Sequence, residues 1–374
     1  MIDFSSLFVV AGLLLGLLAG DAALYGDTLR VQIDVPQSVS GAGFTETSAE
    51  TVFSAEAARI VRGESIIPVP SLRVHTSTSV MTALAKPLNL DGVVMAVQNQ
   101  LGIDHLMVFG ALLATDTRRL DMLMVVMQPQ QVPVQTVLEQ PDGDATALVK
   151  RAASWAMEQV SPYRVVLAHF LAGLDGDQDG LAQARAAAGR FLGRPWHPGR
   201  ASELALTHNL LALLLLLDDK AADAEAELAL TDAMPGVLPR ARAEVSLNHA
   251  FIAMSRGRLD EAAALLESSR HDAADLDQPD LMVTIETQQA LLAWRRGDRA
   301  AAESGLRDVV AVAPASEVAH HYLALLLRAN GDEAGAIAED DAARIGRRFE
   351  RQRHGIAVLQ FWMDPVTGNL TRRL

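Results

Sequence analysis

Apolar spacing divides the chain into three regimes. Leu29-Arg30-Val31-Gln32-Ile33-Asp34-Val35 alternates apolar and polar residues, the period of a half-buried strand. Pro36 to Thr45 reads as a loop, and Thr47-Ser48-Ala49-Glu50 as a capping box opening a helix with Ala49, Val52, Phe53, Ala57 and Ile60 on one face. Pro68 and Pro70 lead into a second strand, Leu72 to Thr76. Asn89 or Asp91 caps a helix bearing Val93, Val94, Val97 and Leu101, which Gly102 ends. His105 to Leu113 is continuously apolar, as in a central strand covered on both faces. Thr115-Asp116-Thr117 turns the chain into Leu120 to Met127, a hairpin partner. Pro133 to Glu139 adds a strand, and Pro141-Asp142-Gly143-Asp144 caps a helix from Ala145 to about Val160. This is a small α/β domain.

From Pro162 onward the spacing becomes helical, and it repeats. Gly297 and Gly331 stand 34 residues apart, the period of a tetratricopeptide repeat (TPR). Each has an alanine seven residues before it (Ala290, Ala324) and another five after (Ala302, Ala336). Gly257 fits the same template with Ala250 and Ala262, and Asp219 fits it more loosely with Ala212 and Ala224. The glycine lets two antiparallel helices turn, and the alanines let them cross closely. One such pair buries too little surface alone, so pairs stack into a superhelix. Pro195 and Pro198 interrupt the first helices. Leu210 to Leu217 is apolar all round, which predicts a buried helix packed on a neighbouring domain or subunit. After Arg347 the pattern fails: Ile356 to Met363 is β-prone and aromatic, and Asp364-Pro365 with Thr367-Gly368-Asn369 makes a turn. The expected fold is therefore an α+β amino-terminal domain followed by an all-α, TPR-like helical superhelix. The expected divisions are 1–27 (anchor or signal), 28–160 (α/β), 161–347 (repeats) and 348–374 (tail).

Composition narrows the partners. The net charge is −14, which argues against nucleic acid as a partner, since that needs a basic face. There is no cysteine, so disulfides, thiolate metal sites and cysteine nucleophiles are excluded. Phe4 to Gly20 is uncharged and almost wholly apolar. No basic residue precedes it, which favours an uncleaved membrane anchor over a cleaved signal and puts the remainder on the extracytoplasmic, periplasmic side.

Candidate chemistry is sparse. Gly41-Ala42-Gly43-Phe44-Thr45-Glu46 lies where a dinucleotide fingerprint would sit, but Glu46 replaces the third glycine and would repel pyrophosphate. Asp175-Gly176-Asp177-Gln178-Asp179-Gly180 matches the first half of an EF-hand loop, yet its twelfth position is Ala186. Both read as plain loops. His320 and His321 are adjacent, so a helix points them about 100 degrees apart and they cannot chelate together. Lys86, Lys150 and Lys220 are the only lysines, and none sits in a Walker A loop. No nucleophile elbow or His-Glu-x-x-His occurs. We therefore expect no enzyme, cofactor or metal.

A binding face follows from helical geometry. The first helix of each pair lines the groove of a TPR superhelix. Counting back from each glycine selects Glu244, Leu247, Phe251 and Met254, then Thr284, Thr287, Leu291, Trp294 and Arg295, then His321, Leu325 and Arg328. Aromatics, methionine and arginines together have the composition of an interaction hot spot. Phe251 and Trp294 could equally be interhelix core, or be covered by the chain's own tail; both readings stay open.

The order of elements also resembles a known arrangement, the extracytoplasmic half of membrane-anchored bacterial regulators and cyclases: anchor, α/β domain, TPR array. The α/β part is similar to the amino-terminal domains of TolB- and CsgG-type envelope proteins. Gly43-Phe44-Thr45-Glu46, Leu101-Gly102-Ile103-Asp104-His105 and Phe109-Gly110-Ala111-Leu112 carry that similarity. No winged helix or cyclase domain precedes the apolar run, so the resemblance does not extend to signalling output. It implies a membrane-anchored scaffold whose groove binds another protein at the membrane. The alternatives are a structural subunit of a membrane complex, a small-molecule sensor, and assembly as a homo-oligomer.

Overall fold

The computed structural model describes residues 28–41, 43–62, 73–75, 106–116, 119–128, 132–195, 198–232, 234–276, 278–350 and 361–372. The apolar run Phe4–Gly20 and the helix expected around Val93 to Leu101 lie outside them. No described helix is long and apolar enough to cross a membrane. The chain forms two compact units, the first running to Val165 (without residues 63–67) and the second from Val166 to the carboxy terminus.

In the first unit, β1 (Thr28–Asp34), β2 (Arg73–His75), β3 (Leu106–Asp116), β4 (Arg119–Met127) and β5 (Val134–Gln140) form one mixed sheet in the order β2-β1-β3-β4-β5. β1 runs parallel to β2 and β3, and β3-β4-β5 is an antiparallel meander. A short α1 (Gln37–Ser40) precedes α2 (Glu46–Val61), and α3 (Ala145–Val160) follows β5. Helix α2 packs on α3 and β1, and α3 on β4 and β5. They bury Ala49, Phe53, Ala57 and Ile60 from α2 with Leu148, Val149, Ala152, Ala153, Ala156 and Met157 from α3. The sheet contributes Val31, Ile33, Val108, Leu112, Met122, Met124 and Val126. Short α1 lies inside the expected Pro36–Thr45 loop, and two further details differ from the spacing argument. The cap of α2 is Thr45, whose Oγ1 accepts from Ser48 N–H at 3.2 Å, so Thr47 already lies inside the helix. Strand β3 alternates in burial, with Val108 and Leu112 buried and Leu113 49% exposed, so it is not buried on both faces throughout.

The second unit is helical. It takes in most of α4 (Pro162–Leu174), then α5 (Gly180–Leu192), a 3-10 turn at Pro198–Arg200, α6 (Ala201–Leu217) and α7 (Ala221–Asp232). After these come α8 (Pro239–Ser255), α9 (Leu259–Ala273), α10 (Pro279–Arg295), α11 (Arg299–Val312), α12 (Glu317–Ala329) and α13 (Glu333–Glu350). Each turn from an even to an odd helix closes with one bond pattern. Gly257 N–H donates to Met254 O and Arg258 N–H to Ala253 O; Gly297 and Asp298 repeat this on Trp294 and Ala293, and Gly331 and Asp332 on Arg328 and Leu327. This is the Schellman termination, whose residue after the cap adopts positive φ. The φ angles are 77, 87 and 88 degrees for the three glycines. Asp219 makes the same turn at φ 58 degrees without a glycine, and Gly176 makes a fifth at φ 103 degrees. The Asp175–Gly180 stretch is thus the earliest turn of the same series.

Between turns the helices pair closely. Ala212, Ala224, Ala250, Ala262, Ala290, Ala302, Ala324 and Ala336 are all buried. Small side chains at a crossing bring helix axes toward the short end of the usual 8–10 Å range. Successive pairs also touch, α9 on α10 and α11 on α12, so the cores run together. Helix α6 is buried nearly all round, as Leu210 to Leu217 suggested, and α5, α7 and α8 supply that cover within the unit.

Candidate functional site

The first helices of the last three pairs, α8, α10 and α12, carry one shared feature. The chain's final segment is seated across them. Strands β6 (Phe361–Met363) and β7 (Leu370–Arg372) pair antiparallel, with Phe361 opposite Arg372 and Met363 opposite Leu370. Asp364 organises the turn between them. Its Oδ1 accepts from Val366 and Thr367 N–H at 2.8 and 2.9 Å, and its backbone N–H donates to Asn369 O at 2.8 Å. Those N–H donors, with the Arg295 charge as a smaller contribution, hold the Asp364 carboxyl below the ordinary aspartate range.

Each of the three helices grips the hairpin differently. On α12, Tyr322 Oη accepts from Met363 N–H at 2.9 Å. Trp362 stacks on His321 with ring centroids 4.0 Å apart and meets Tyr322 edge-on at 5.8 Å. On α10, Arg295 Nη1 donates to Val366 O at 2.6 Å, and its Nη2 reaches Met254 O of α8 at 3.4 Å. At the end of α8 the backbone comes close: a Cβ built on Gly368 would stand 2.5 Å from Ser255 O, so only glycine fits there. Phe361, Met363, Pro365 and Gly368 are buried by this seating.

No protein-family model, curated protein or solved structure matches this chain.

The residues expected to line the groove separate into layers. Leu291 and Trp294 belong to a buried core cluster with Tyr322, Leu323, Leu326 and Leu327, and Leu325 and Trp362 pack against it. Leu247, Phe251 and Met254 are likewise buried, as are Thr284 and Thr287, whose hydroxyls donate to Asp280 O and Val283 O one turn back. Arg295 and His321 meet the hairpin directly. Arg328 instead pairs with Glu333 and Asp340 of α13, the second helix of its own pair. Of the expected groove residues, Arg295 and His321 thus touch the hairpin, Leu291 and Trp294 belong to the cluster Trp362 packs against, and most of the rest are buried in the helices. Tyr322 escaped the positional count because it follows His321 by one residue, about 100 degrees around the helix.

Glu244 lies deeper. It is 2% exposed, and burial pushes its carboxyl up to about 8 against a smaller downward pull from the Arg240 charge. Asn248 Nδ2 donates to Asn209 Oδ1 at 2.5 Å, and Asn209 Nδ2 reaches Glu244 Oε1 at 3.5 Å, a long contact. Among the described residues, Glu244 Oε2 has no hydrogen-bond partner. A neutral acid suits that setting, since an ionised carboxylate would leave a buried charge with one weak donor.

Glu225, His249 and Glu261 come from α7, α8 and α9, and their ligand atoms lie within 4.8 Å of one another. Two guanidinium groups already hold these carboxylates. Arg256 Nη1 bonds Glu225 Oε2 at 2.6 Å, Arg258 Nη1 bonds Glu261 Oε2 at 2.8 Å, and Arg258 also reaches Glu225. The cluster is an ion-pair knot tying three helices, and a cation there would face two arginines. The adjacent histidines diverge. His320 bonds Glu339 Oε2 at 2.5 Å and Pro314 O at 3.1 Å, while His321 turns to Trp362.

Proposed function

We propose that this chain is a scaffold of the tetratricopeptide kind, whose first-helix face on α8, α10 and α12 binds a segment of another protein. One observation carries the reading: a polypeptide segment, the carboxy-terminal hairpin, already rests on that face through side-chain bonds to its backbone. Three further features support it. The five turns share one bonding pattern, the alanine crossings recur with the glycines, and successive pairs pack on each other as a repeat array requires. Acidity fits a protein partner better than nucleic acid. Anchoring through Phe4–Gly20 and a periplasmic position rest on the sequence alone, as do the likeness of the α/β unit to TolB- and CsgG-type domains and the assignment to a non-catalytic role.

The test is purification of the tagged chain from native membranes in mild detergent, beside an Arg295→Glu variant. The scaffold reading expects a discrete protein to co-purify with the parent chain and to fall about tenfold with the variant. Equal recovery with both, or no co-purifying protein, would overturn it. A fixed structural subunit would instead co-purify at constant stoichiometry with either chain.

A further inference from the structure

The hairpin's contacts are of two kinds, and the division says what the face can recognise. The directional contacts read backbone: Tyr322 takes the N–H of Met363, Arg295 gives to the carbonyl of Val366, and the end of α8 admits the bare backbone at Gly368. None of these depends on the side chain presented at those positions, except that position 368 has none. The described side-chain contacts are chemically plain. An aromatic stacks on His321 beside Tyr322, and its two neighbours, Phe361 and Met363, are buried apolar groups. The turn is self-made by Asp364, which satisfies the N–H groups of Val366 and Thr367 without help from the helices. Such a surface selects a shape, a short strand entering an Asp-initiated turn with a glycine four residues on, together with an aromatic at its head. Backbone bonds provide affinity and a few pockets provide specificity in peptide recognition of this type.

We propose that the face of α8, α10 and α12 is a recognition site for an apolar-aromatic-apolar strand running into an Asp-initiated, glycine-containing turn. The chain's own hairpin is its resident occupant, and a partner segment of the same chemistry competes for it. This rests on the scaffold reading above and names the partner's chemistry. The tethered hairpin holds an effective concentration in the millimolar range when joined by a short linker, so an outside segment must displace it. The intact chain is therefore self-inhibited.

A fluorescein-labelled peptide of residues 356–374 is the probe, with binding read by fluorescence anisotropy. Three chains are compared: the full chain, the full chain with Trp362→Ala, and a chain ending at Glu350. The inference expects saturable one-to-one binding to the shortened chain. It also expects binding to the Trp362→Ala chain at least about tenfold tighter than to the parent. A Trp362→Ala peptide, or Tyr322→Phe in the shortened chain, should weaken binding by roughly tenfold. If the shortened chain keeps its helical circular dichroism and still takes no peptide, the site is not a recognition site. If it loses that signal and the Trp362→Ala chain also takes no peptide, the hairpin is a permanent part of the fold and the inference fails equally. Equal recovery of the co-purifying protein by the parent and Arg295→Glu chains, or none with either, with peptide binding intact, would sink the scaffold reading alone. Co-purification without peptide binding would sink only this inference.

Discussion

Tyr322 Oη and the backbone N–H of Met363 meet at 2.9 Å across 41 residues of chain, and the bond is buried. It joins the middle of α12 to the first strand of the carboxy-terminal hairpin. The bond fixes the register in which Trp362 reaches His321. Removing the hydroxyl leaves a buried N–H without its partner. Tyr322→Phe should cost about 1–3 kcal/mol, seen as a lower denaturant midpoint. An unchanged midpoint would mean that the hairpin contributes nothing to the folded state.

The alanine crossings make a sharper demand. Ala302 is 0% exposed, on α11 against α10. Ala302→Leu adds three carbons where the helices have no room and should cost about 1–3 kcal/mol. Ala313→Leu, past the end of α11, serves as the control and should change the melting midpoint little.

Turn chemistry predicts gains as well as losses. Asp219 holds φ 58 degrees where three later turns use glycine. Asp219→Gly should stabilise by up to about 1 kcal/mol, because an L side chain is disfavoured in the left-handed region. Gly297→Ala, at φ 87 degrees, should lose about 1 kcal/mol for the same reason. Opposite signs in urea unfolding would show that these turns are not equivalent.

These elements also show what the sequence could and could not disclose. The helix pairs were legible because glycine and alanine act locally, at fixed offsets from each turn. The turn at Gly176 was hidden by its aspartates, which imitate half of a calcium loop, although its bonds match the others. Glu244 looked like a groove residue because it falls at a counted groove position before Gly257, and only tertiary packing shows that it is buried. The aromatic pair Phe361-Trp362 signalled a segment needing cover. Its seat depends on contacts more than 40 residues away, which no local pattern encodes. The knot of Glu225, His249 and Glu261 draws on three helices and was invisible for that reason.

Glu244 gives the fold a pH dependence with a definite sign. Its folded value of about 8 lies above the ordinary 4.5, so the folded state keeps a proton that the unfolded chain releases. The contribution to stability is therefore complete below pH 4.5, falls as pH rises, and is lost by pH 8. The slope approaches about 1.4 kcal/mol per pH unit inside that window. Glu244→Gln keeps the amide-like shape and cannot ionise. It should match the parent near pH 4.5 and exceed it increasingly toward pH 8 in denaturant unfolding. Parallel curves across that range would show that Glu244 is not buried in the neutral form.

The account rests on one face serving both the hairpin and a partner, and the absence of cysteine makes a direct test possible. Cysteines introduced at Ser255 and Asn369, joined by a short bis-maleimide, would lock the hairpin onto α8. The measurement is binding of the protein that co-purifies from native membranes, with the locked chain against the same chain unlocked. The account predicts that locking lowers partner binding at least about tenfold, because the partner needs the seat the hairpin holds. Equal binding by locked and unlocked chains would contradict it.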